Sequence, residues 1–240
     1  MIPLKFLRDF SRLSRKRLNS ENDYLKFQEF QAQAIYQDLN KIFKLPHDSF
    51  VIDFGCGKGG YTNFFSAKFK KVLGIDFHVK QQVSEKNIFE SHDLLNYKNP
   101  QKADLIFCSS VIEHVKNQEG LLKSINENLK SGGFLYLSFP PFYSLGGGHQ
   151  LKPFHYFPEK FAIWMGKKSK RIDNQVSGYG NLFGSWGLYK TTINKVARLL
   201  TKNNFRILKC KTRFLPVNTA NIPVLNELLT WHVEFYCQKP

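Results

Sequence analysis

Short apolar runs alternate with segments of helical length along the first 140 residues, and this alternation constrains the fold more than any other feature. Four runs are clear, each bounded by turn residues: FVIDF (50–54), KVLGID (71–76), DLIFCSS (104–110) and GFLYLSF (133–139). Uninterrupted apolar runs are typical of strands that are buried on both faces. Because helices separate them, we predict a parallel sheet with right-handed crossovers and helices on both faces.

The remaining segments extend this α/β pattern. The stretch from Ser20 to Leu45 has helical spacing of its apolar residues, with Ser20 and Asp23 spaced as in a capping box. We predict further helices at 61–69, 117–133 and 188–205, a weaker strand at 87–93, and strands at 205–215 and 232–240.

The pattern breaks between 141 and 188, where glycine, proline and aromatic residues dominate. A connection of this length is too long for a passive loop. We predict a cap over the carboxyl ends of the strands, where open α/β sheets bind ligands. We expect one domain with four parts: a basic segment and cover helix (1–46), a cofactor-binding core (47–140), the cap insertion (141–188), and a C-terminal helix and strands (189–240).

Charge and cysteine content limit the binding partners and the cellular compartment that this chain can have. The formal net charge is +16, with cations concentrated in 1–20 and 151–171. Such a field attracts anionic small molecules, nucleic acid or an acidic membrane surface, although solvated cations that only aid solubility explain it equally well. The four cysteines are dispersed, and no apolar run approaches the roughly 20 residues of a membrane span. We therefore predict a cytoplasmic protein, with peripheral membrane contact as an addition.

The glycines in VIDFGCGKGG (51–60) follow an apolar strand and precede a predicted helix, as in nucleotide-cofactor sites. Gly55 and Gly57 satisfy G-x-G-x-x-G together with Gly60, and G-x-G-x-G together with Gly59, so the glycines alone do not select a cofactor. Asp76 ends the next strand, where a carboxylate accepts hydrogen bonds from ribose hydroxyls. This fits the adenosine of NAD or of S-adenosylmethionine.

Three features favour S-adenosylmethionine. Asp53 would repel a pyrophosphate but suits an ammonium or a sulfonium. Asp93 in SHDLL supplies a second acid, placed to meet an adenine amino group. The fourth strand ends in SSVIEHV, with small hydroxyl residues followed by the Glu113–His114 pair.

These segments, together with VLGIDF and LKSGGFLYLSFP, resemble the class I S-adenosylmethionine-dependent methyltransferases, closest to the type 11 group. The resemblance is strong over about 48–140 and implies an α/β fold with a seven-stranded, mostly parallel, Rossmann-like sheet. It implies a cofactor site of ten residues. The turn residues would line the methionine portion with Asp53 near its ammonium; Asp76 and its neighbour would hold the ribose; Asp93 and its neighbour would border the adenine; and Ser109 would lie near the sulfonium. The ten are Asp53, Gly55, Cys56, Gly57, Gly59, Asp76, Phe77, Asp93, Leu94 and Ser109.

Methyl transfer requires alignment of the acceptor and often removal of its proton. His149 is the first candidate for the general base, followed by His155 and His114, although a histidine that only packs in the cap is an equal alternative for each. The spacing of His149 and His155 also permits a metal site. No neighbouring carboxylate or cysteine completes such a site, so we predict no metal.

The aromatic cap predicts a small-molecule acceptor, for which a glycan or a lipid-linked precursor carrying phosphate is one candidate. We predict oxygen as the acceptor atom. In 1–20, Phe6, Phe10 and Leu13 share a helical face flanked by cations, which suits an acidic membrane surface or a cover over the cofactor. Nucleic acid is less favoured: FPPF (139–142) has Phe139 where amino-methylating DNA enzymes carry a polar residue. An NAD-dependent oxidoreductase and a non-catalytic cofactor-binding module remain the alternatives.

Overall fold

The structure, a computed structural model, describes residues 4–79, 82–83, 87–215, 217–222 and 225–240. Its strands are β1 (Phe50–Phe54), β2 (Lys71–Asp76), β3 (Gln82–Val83), β4 (Asn87–Ser91), β5 (Ala103–Ser109), β6 (Leu129–Phe139), β7 (Arg206–Thr212) and β8 (Val233–Gln238). Its α-helices are α1 (Leu4–Lys16), α2 (Glu21–Phe43), α3 (Gly60–Ser66), α4 (Gln118–Asn128), α5 (Glu159–Lys168), α6 (Ile193–Lys202) and α7 (Asn226–Leu229).

The strands form one sheet in the order β3-β4-β2-β1-β5-β6-β8-β7. β1 pairs in parallel with β2 on one side and with β5 on the other, and β2 pairs in parallel with β4. The chain thus leaves β1 in one direction across the sheet and later returns to its other side. Such a reversal of strand order creates a crevice at the carboxyl ends of the strands, where α/β sheets bind ligands.

The far side of the sheet contains reversed strands. Lys239, directly after β8, exchanges backbone hydrogen bonds with Gly132 and Gly133 near the start of β6, so these two strands are antiparallel. The amide of Arg213, directly after β7, donates to the carbonyl of His232, directly before β8. Three consecutive strands therefore alternate in direction, while the sheet as a whole remains mostly parallel.

The seven predicted strands are all present, and the mostly parallel α/β fold is confirmed. The short β3, antiparallel to β4, is an addition. One predicted boundary is wrong: the helix expected over 117–133 ends at Asn128, and 129–139 form β6. The Asn128 side chain explains the end of the helix, because its amide donates to the carbonyls of Tyr97 and Ser124 and its oxygen accepts from the Asn99 amide.

The N-terminal helices pack through aromatic rings. Ser20 caps α2 by accepting a hydrogen bond from the Asp23 amide at 3.1 Å, as its sequence spacing predicts. The Phe6 ring stacks on Phe30 of α2 at 4.8 Å, and the Phe10 ring lies 5.5 Å from Phe27. Part of the apolar face of α1 is therefore occupied by α2. No helix among the described residues combines the length and the apolar character that crossing a bilayer requires.

The chain forms two compact units. Unit 1 comprises 1–108, 124–136 and 236–240, and unit 2 comprises 109–123 and 137–235. Unit 1 contains the glycine turn. Unit 2 contains the predicted cap, which has a buried apolar cluster of its own made of Phe142, Leu151, Ala162, Ile163, Val176, Tyr179, Leu182 and Leu188.

Candidate functional site

The glycine turn of unit 1 is shaped by its backbone. Gly55, Gly57 and Gly59 have φ angles of 87°, 53° and 79°, a region that side chains with a Cβ rarely adopt. The amides of Gly55 and Cys56 both donate to the carbonyl of Ile75 in β2, at 2.7 and 3.0 Å. These three glycines, and not Gly60, therefore make the turn, which resolves the ambiguity of the sequence pattern.

The glycines of the turn differ in what surrounds them. A Cβ on Gly59 would lie 2.6 Å from the Phe89 ring, and one on Gly60 would lie 2.4 Å from the side-chain oxygen of Gln28. These two glycines therefore permit close packing. Gly57, by contrast, is exposed and has no atom within 4 Å of the position that a Cβ would take. Its backbone is open to a ligand.

Asp76 lies beside the open part of this turn. One of its carboxylate oxygens accepts from the Gly57 amide at 3.0 Å, and the other accepts from the His78 amide at 3.1 Å. These bonds fix the carboxylate, and each oxygen keeps a further lone pair for a ligand hydroxyl. The neighbouring Phe77 is 62% exposed, which leaves a large apolar ring at the same edge of the sheet.

Asp93 ends the short connection after β4. Its two oxygens accept from the Leu95 amide at 3.0 Å and from the Asn96 side chain at 2.7 Å. The Asp93 side chain is exposed and Leu94 is half-buried. An exposed acid beside a partly apolar residue fits the polar edge and the face of an adenine, and this role stays a prediction.

Asp53 is almost completely buried, at 1% exposure. The hydroxyl of Thr62 donates to it at 2.6 Å. Burial raises the pKa of Asp53 to about 7, and this effect outweighs the opposing hydrogen bond from Thr62. Burial likewise raises the pKa of the Cys56 thiol, so this cysteine packs as a neutral side chain. The predicted approach of Asp53 to a ligand ammonium stays a prediction.

The unit 1 residues fit the cofactor that the sequence resemblance implies. The open backbone at Gly57 and the fixed carboxylate of Asp76 form a cradle that a Cβ would partly fill. Asp93 and Leu94 supply a second polar and apolar pair at the end of β4.

In unit 2, Ser109 belongs to a buried polar group that sequence reasoning missed. Its hydroxyl accepts from Ser138 at 3.0 Å and from the Arg213 guanidinium at 3.1 Å. Arg213 also donates to Ser138 and pairs with Glu234 at 3.1 Å. Arg213 and Glu234 are 2% and 1% exposed. The available signal was a charged residue within each of two predicted strands, at 205–215 and 232–240.

A second polar cluster of unit 2 joins Glu113, His114 and His149, whose ligand atoms all lie within 4.8 Å of one another. Burial raises the pKa of Glu113 to about 8 and lowers that of His114 to about 4. Two of the three histidines predicted as catalytic therefore lie together. The contribution of Glu113 could not be foreseen, because it lies far from His149 in the sequence.

His155 lies apart from this cluster, in the core of the cap. It is 2% exposed, and its ring lies 4.0 Å from that of Tyr156 and 5.6 Å from that of Phe142. Burial lowers its pKa. These contacts suit a packed histidine, and its predicted catalytic role stays a prediction.

The sheet order defines a Rossmann-like fold, and its glycine turn is of the kind that binds nucleotide cofactors. Residues 27–179 match the family model described as a methyltransferase domain. The match covers more than half of the chain, so the chain belongs to this methyltransferase family. The class I resemblance is thereby confirmed, and a position close to the type 11 group fits it.

Two curated relatives illustrate the range of the family. (S)-Coclaurine N-methyltransferase of Papaver somniferum is 30% identical over 128 residues, which are 48% of this chain and 34% of that protein. Ubiquinone biosynthesis O-methyltransferase of Nitrosomonas europaea is 29% identical over 99 residues, 37% of this chain and 42% of that protein. The matched region spans less than half the length of either relative.

Solved structures share the fold over most of the chain. An S-adenosylmethionine-dependent methyltransferase from Clostridium acetobutylicum has a TM-score of 0.60 and 15% identity, covering 86% of this chain and 89% of that one. Magnesium protoporphyrin IX methyltransferase from Synechocystis, solved with bound S-adenosylhomocysteine, has a TM-score of 0.53 and 16% identity, covering 92% and 88%.

Proposed function

We propose that this protein transfers a methyl group from S-adenosylmethionine to an oxygen atom of a small-molecule acceptor. The observation that carries the proposal is the glycine turn, in which the exposed Gly57 donates its amide to Asp76, in a chain of the methyltransferase family. Relatives with this likeness are named as O- and N-methyltransferases of small molecules, which supports the substrate class.

Unit 1 would hold the cofactor. The open backbone of Gly57 would admit the methionine portion, Asp76 would accept hydrogen bonds from the ribose hydroxyls, and Asp93 with Leu94 would border the adenine. When bound, S-adenosylmethionine supplies an electrophilic methyl group on a sulfonium. The contribution of these residues is orientation, because fixed carboxylates and backbone amides reduce the entropy lost in reaching the reactive alignment.

Unit 2 would handle the acceptor. His149 is partly exposed and adjoins the neutral His114, so it is the first candidate to take the proton of an acceptor hydroxyl. His114 and His155 follow it. The net charge of +16 favours an acceptor that carries phosphate or carboxylate.

The surface of α5 supports a lipid-linked acceptor and contact with an acidic membrane. Phe157, Phe161 and Trp164 are 52%, 42% and 53% exposed and adjoin one another. The Lys168 ammonium lies 5.1 Å from the Trp164 ring centroid. Exposed aromatics beside cations are typical of interfacial helices. Sedimentation with phosphatidylglycerol vesicles tests this contact: Trp164→Ala should reduce binding, whereas unchanged binding would contradict it.

Calorimetry with S-adenosylhomocysteine and NADH tests the cofactor. We expect micromolar binding of the first ligand alone. Asp76→Ala should weaken it by about tenfold or more, because a lost ribose hydrogen bond to a charged group is worth about 1.5–3 kcal/mol. Asp48→Ala, at an exposed aspartate, is the matched control and should bind normally. Binding of NADH alone would overturn the proposal and favour an oxidoreductase.

A further inference from the structure

Glu113, His114 and His149 form a side-chain cluster in unit 2 that methyl transfer from a sulfonium does not by itself require. Their ligand atoms lie within 4.8 Å of one another. We propose that these three residues bind one divalent first-row transition-metal ion of the zinc type. This inference replaces the expectation from the sequence, which found no carboxylate near the histidines.

The Glu113 carboxylate is the first argument. It is 1% exposed, and within the described part of the chain neither of its oxygens accepts a hydrogen bond from another residue, although its own backbone amide acts on the carboxyl group. A buried carboxyl group that lacks donors is costly, and its usual compensation is a paired cation or a bound metal. The Nε2 of His114 lies 3.9 Å from its Oε1.

The orientation of His114 is the second argument. Its Nδ1 lies 2.8 Å from the carbonyl oxygen of Gly187, so this nitrogen carries the proton and donates. Nε2 therefore keeps its lone pair, on the side of the ring that meets Glu113. Histidines that bind metals commonly donate their other nitrogen to a backbone carbonyl in this way. The Trp186 ring, at 4.5 Å, further fixes the imidazole.

His149 completes the set and provides access. Its ring centroid lies 5.1 Å from that of His114, and its φ angle of 47° is one that a residue with a Cβ rarely adopts. A strained residue is retained where its surroundings require that conformation, and such residues concentrate at functional sites. Because His114 and His149 are partly exposed, an ion has a route to the cluster, in which the Nε2 of His149 is itself buried.

The donor set selects the metal. Two imidazoles and one carboxylate suit zinc and its neighbours in the first transition row, whereas magnesium and calcium prefer oxygen ligands. Ligands of a tetrahedral zinc ion lie roughly 3.3 Å apart, given bonds of about 2.0–2.1 Å. The present separations of up to 4.8 Å therefore require the side chains to close by up to about 1.5 Å around the ion.

Neighbouring positive charge opposes this ion only in part. The Arg213 guanidinium acts on Glu113, but it is paired at 3.1 Å with Glu234, a carboxylate that it shares with Lys211 at 3.1 Å. His232 is also close to His149, and its burial lowers its pKa well below the ordinary value, which keeps it neutral.

The role of the ion rests on the proposed function. A divalent cation held by these three side chains would polarise an acceptor oxygen and lower the pKa of its proton. His149 would then act as a ligand, and the proton of the acceptor hydroxyl, made more acidic by the ion, would be released to a water molecule and not to His149. Metal binding itself is measurable without any acceptor, so the two proposals can fail separately.

The experiment is calorimetric titration of the chelator-treated full chain with zinc chloride and, separately, magnesium chloride. We expect one zinc ion per chain and much weaker binding of magnesium. Glu113→Gln and His149→Gln should each weaken zinc binding by at least about tenfold, because each removes a ligand. His47→Gln removes an exposed histidine of unit 1 and is the matched control, which should bind zinc as the wild type does.

Two further readouts separate a lost site from a lost fold. Zinc should raise the midpoint of thermal unfolding of the wild type and of His47→Gln, but not of Glu113→Gln. S-Adenosylhomocysteine binding, measured on every variant, reports on unit 1 independently. Absence of stoichiometric zinc binding, or equal binding by the wild type and both ligand variants, would overturn the metal site. Loss of cofactor binding with zinc binding intact would overturn only the proposed function.

Discussion

The glycine turn of unit 1 and the polar clusters of unit 2 are built from the chain in different ways. The turn is a local structure: Gly55, Gly57 and Gly59 lie within five residues, and Asp76 comes from the next strand. The clusters of unit 2 collect single side chains from distant segments, among them Glu113, His149, Arg213 and Glu234. The turn depends on backbone conformation, and the clusters depend on long-range packing.

This difference has an energetic consequence. A turn made of glycines needs only space and the right φ angles, so the cost of substituting one glycine does not depend on the other glycines. A buried polar cluster needs all its members at once, because one missing partner leaves another polar group buried without compensation. We therefore expect damage to unit 2 to be larger per substitution, and to be repairable by a second substitution.

Arg213→Met should have the largest effect on stability. It removes the guanidinium that pairs with Glu234 and donates to Ser109 and Ser138, all three buried or nearly so. Breaking a buried ion pair from one side costs about 3–5 kcal/mol, and the lower end applies here because Lys211, at 3.1 Å from Glu234, still compensates part of its charge. We expect a loss of that size in the free energy of unfolding, measured by urea denaturation.

Glu234 also pairs with Lys211, at 3.1 Å, so the triple variant Lys211→Met, Arg213→Met, Glu234→Gln should recover part of this loss, because it removes all three charges of the group. Lys202→Met is the matched control: it breaks the ion pair of Lys202 with Glu119, at 2.8 Å, in which both side chains are well exposed. Exposed pairs contribute about 0–1 kcal/mol. Equal losses in Lys202→Met and Arg213→Met would contradict the distinction drawn for unit 2.

The same difference explains what the sequence could predict. The strands, the helices and the glycine turn follow from local patterns, since apolar runs and glycine spacing are properties of neighbouring residues. The end of α4 could not be predicted, because Asn128 is held by Tyr97 and Asn99 from another segment. The proximity of Glu113 to His149 and the ion pair of Arg213 with Glu234 likewise required the fold, although charged residues within predicted strands were a visible signal.

Gly59→Ala should have the next largest effect, and Gly57→Ala provides the comparison within one turn. Both glycines have positive φ angles, so each substitution carries the backbone cost of about 1–2 kcal/mol. Only at Gly59 does the new methyl group meet the Phe89 ring, at 2.6 Å. We expect about 3 kcal/mol of destabilisation for Gly59→Ala and about 1 kcal/mol for Gly57→Ala in denaturant unfolding.

For ligand binding we expect the reverse order: Gly57→Ala should weaken cofactor binding although it costs less stability than Gly59→Ala. Gly57 is exposed and its amide is the one paired with Asp76, so a methyl group there would obstruct the proposed cradle while the fold persists. Calorimetry with S-adenosylhomocysteine on folded Gly57→Ala should show weakened binding. Normal affinity together with normal stability would remove Gly57 from the proposed cofactor site.

Asp53→Asn should have the smallest effect within a single pH unit, and this effect depends on pH. The folded-state pKa of Asp53 is raised from 3.8 to about 7, mainly by burial. Between these values the folded protein holds a proton that the unfolded chain releases, so stability falls as pH rises through this window. Asn keeps an acceptor for the Thr62 hydroxyl but does not ionise.

We therefore expect the variant to gain about 1 kcal/mol on the wild type between about pH 6 and pH 7 in urea unfolding, with the difference levelling off above that window. Asp48→Asn, at an exposed aspartate, should track the wild type at every pH. Parallel curves for Asp53→Asn and the wild type would mean that the Asp53 carboxyl titrates in the folded protein as it does in the unfolded chain. The turn of unit 1 would then contain no buried charge cost, and its contrast with the clusters of unit 2 would be complete.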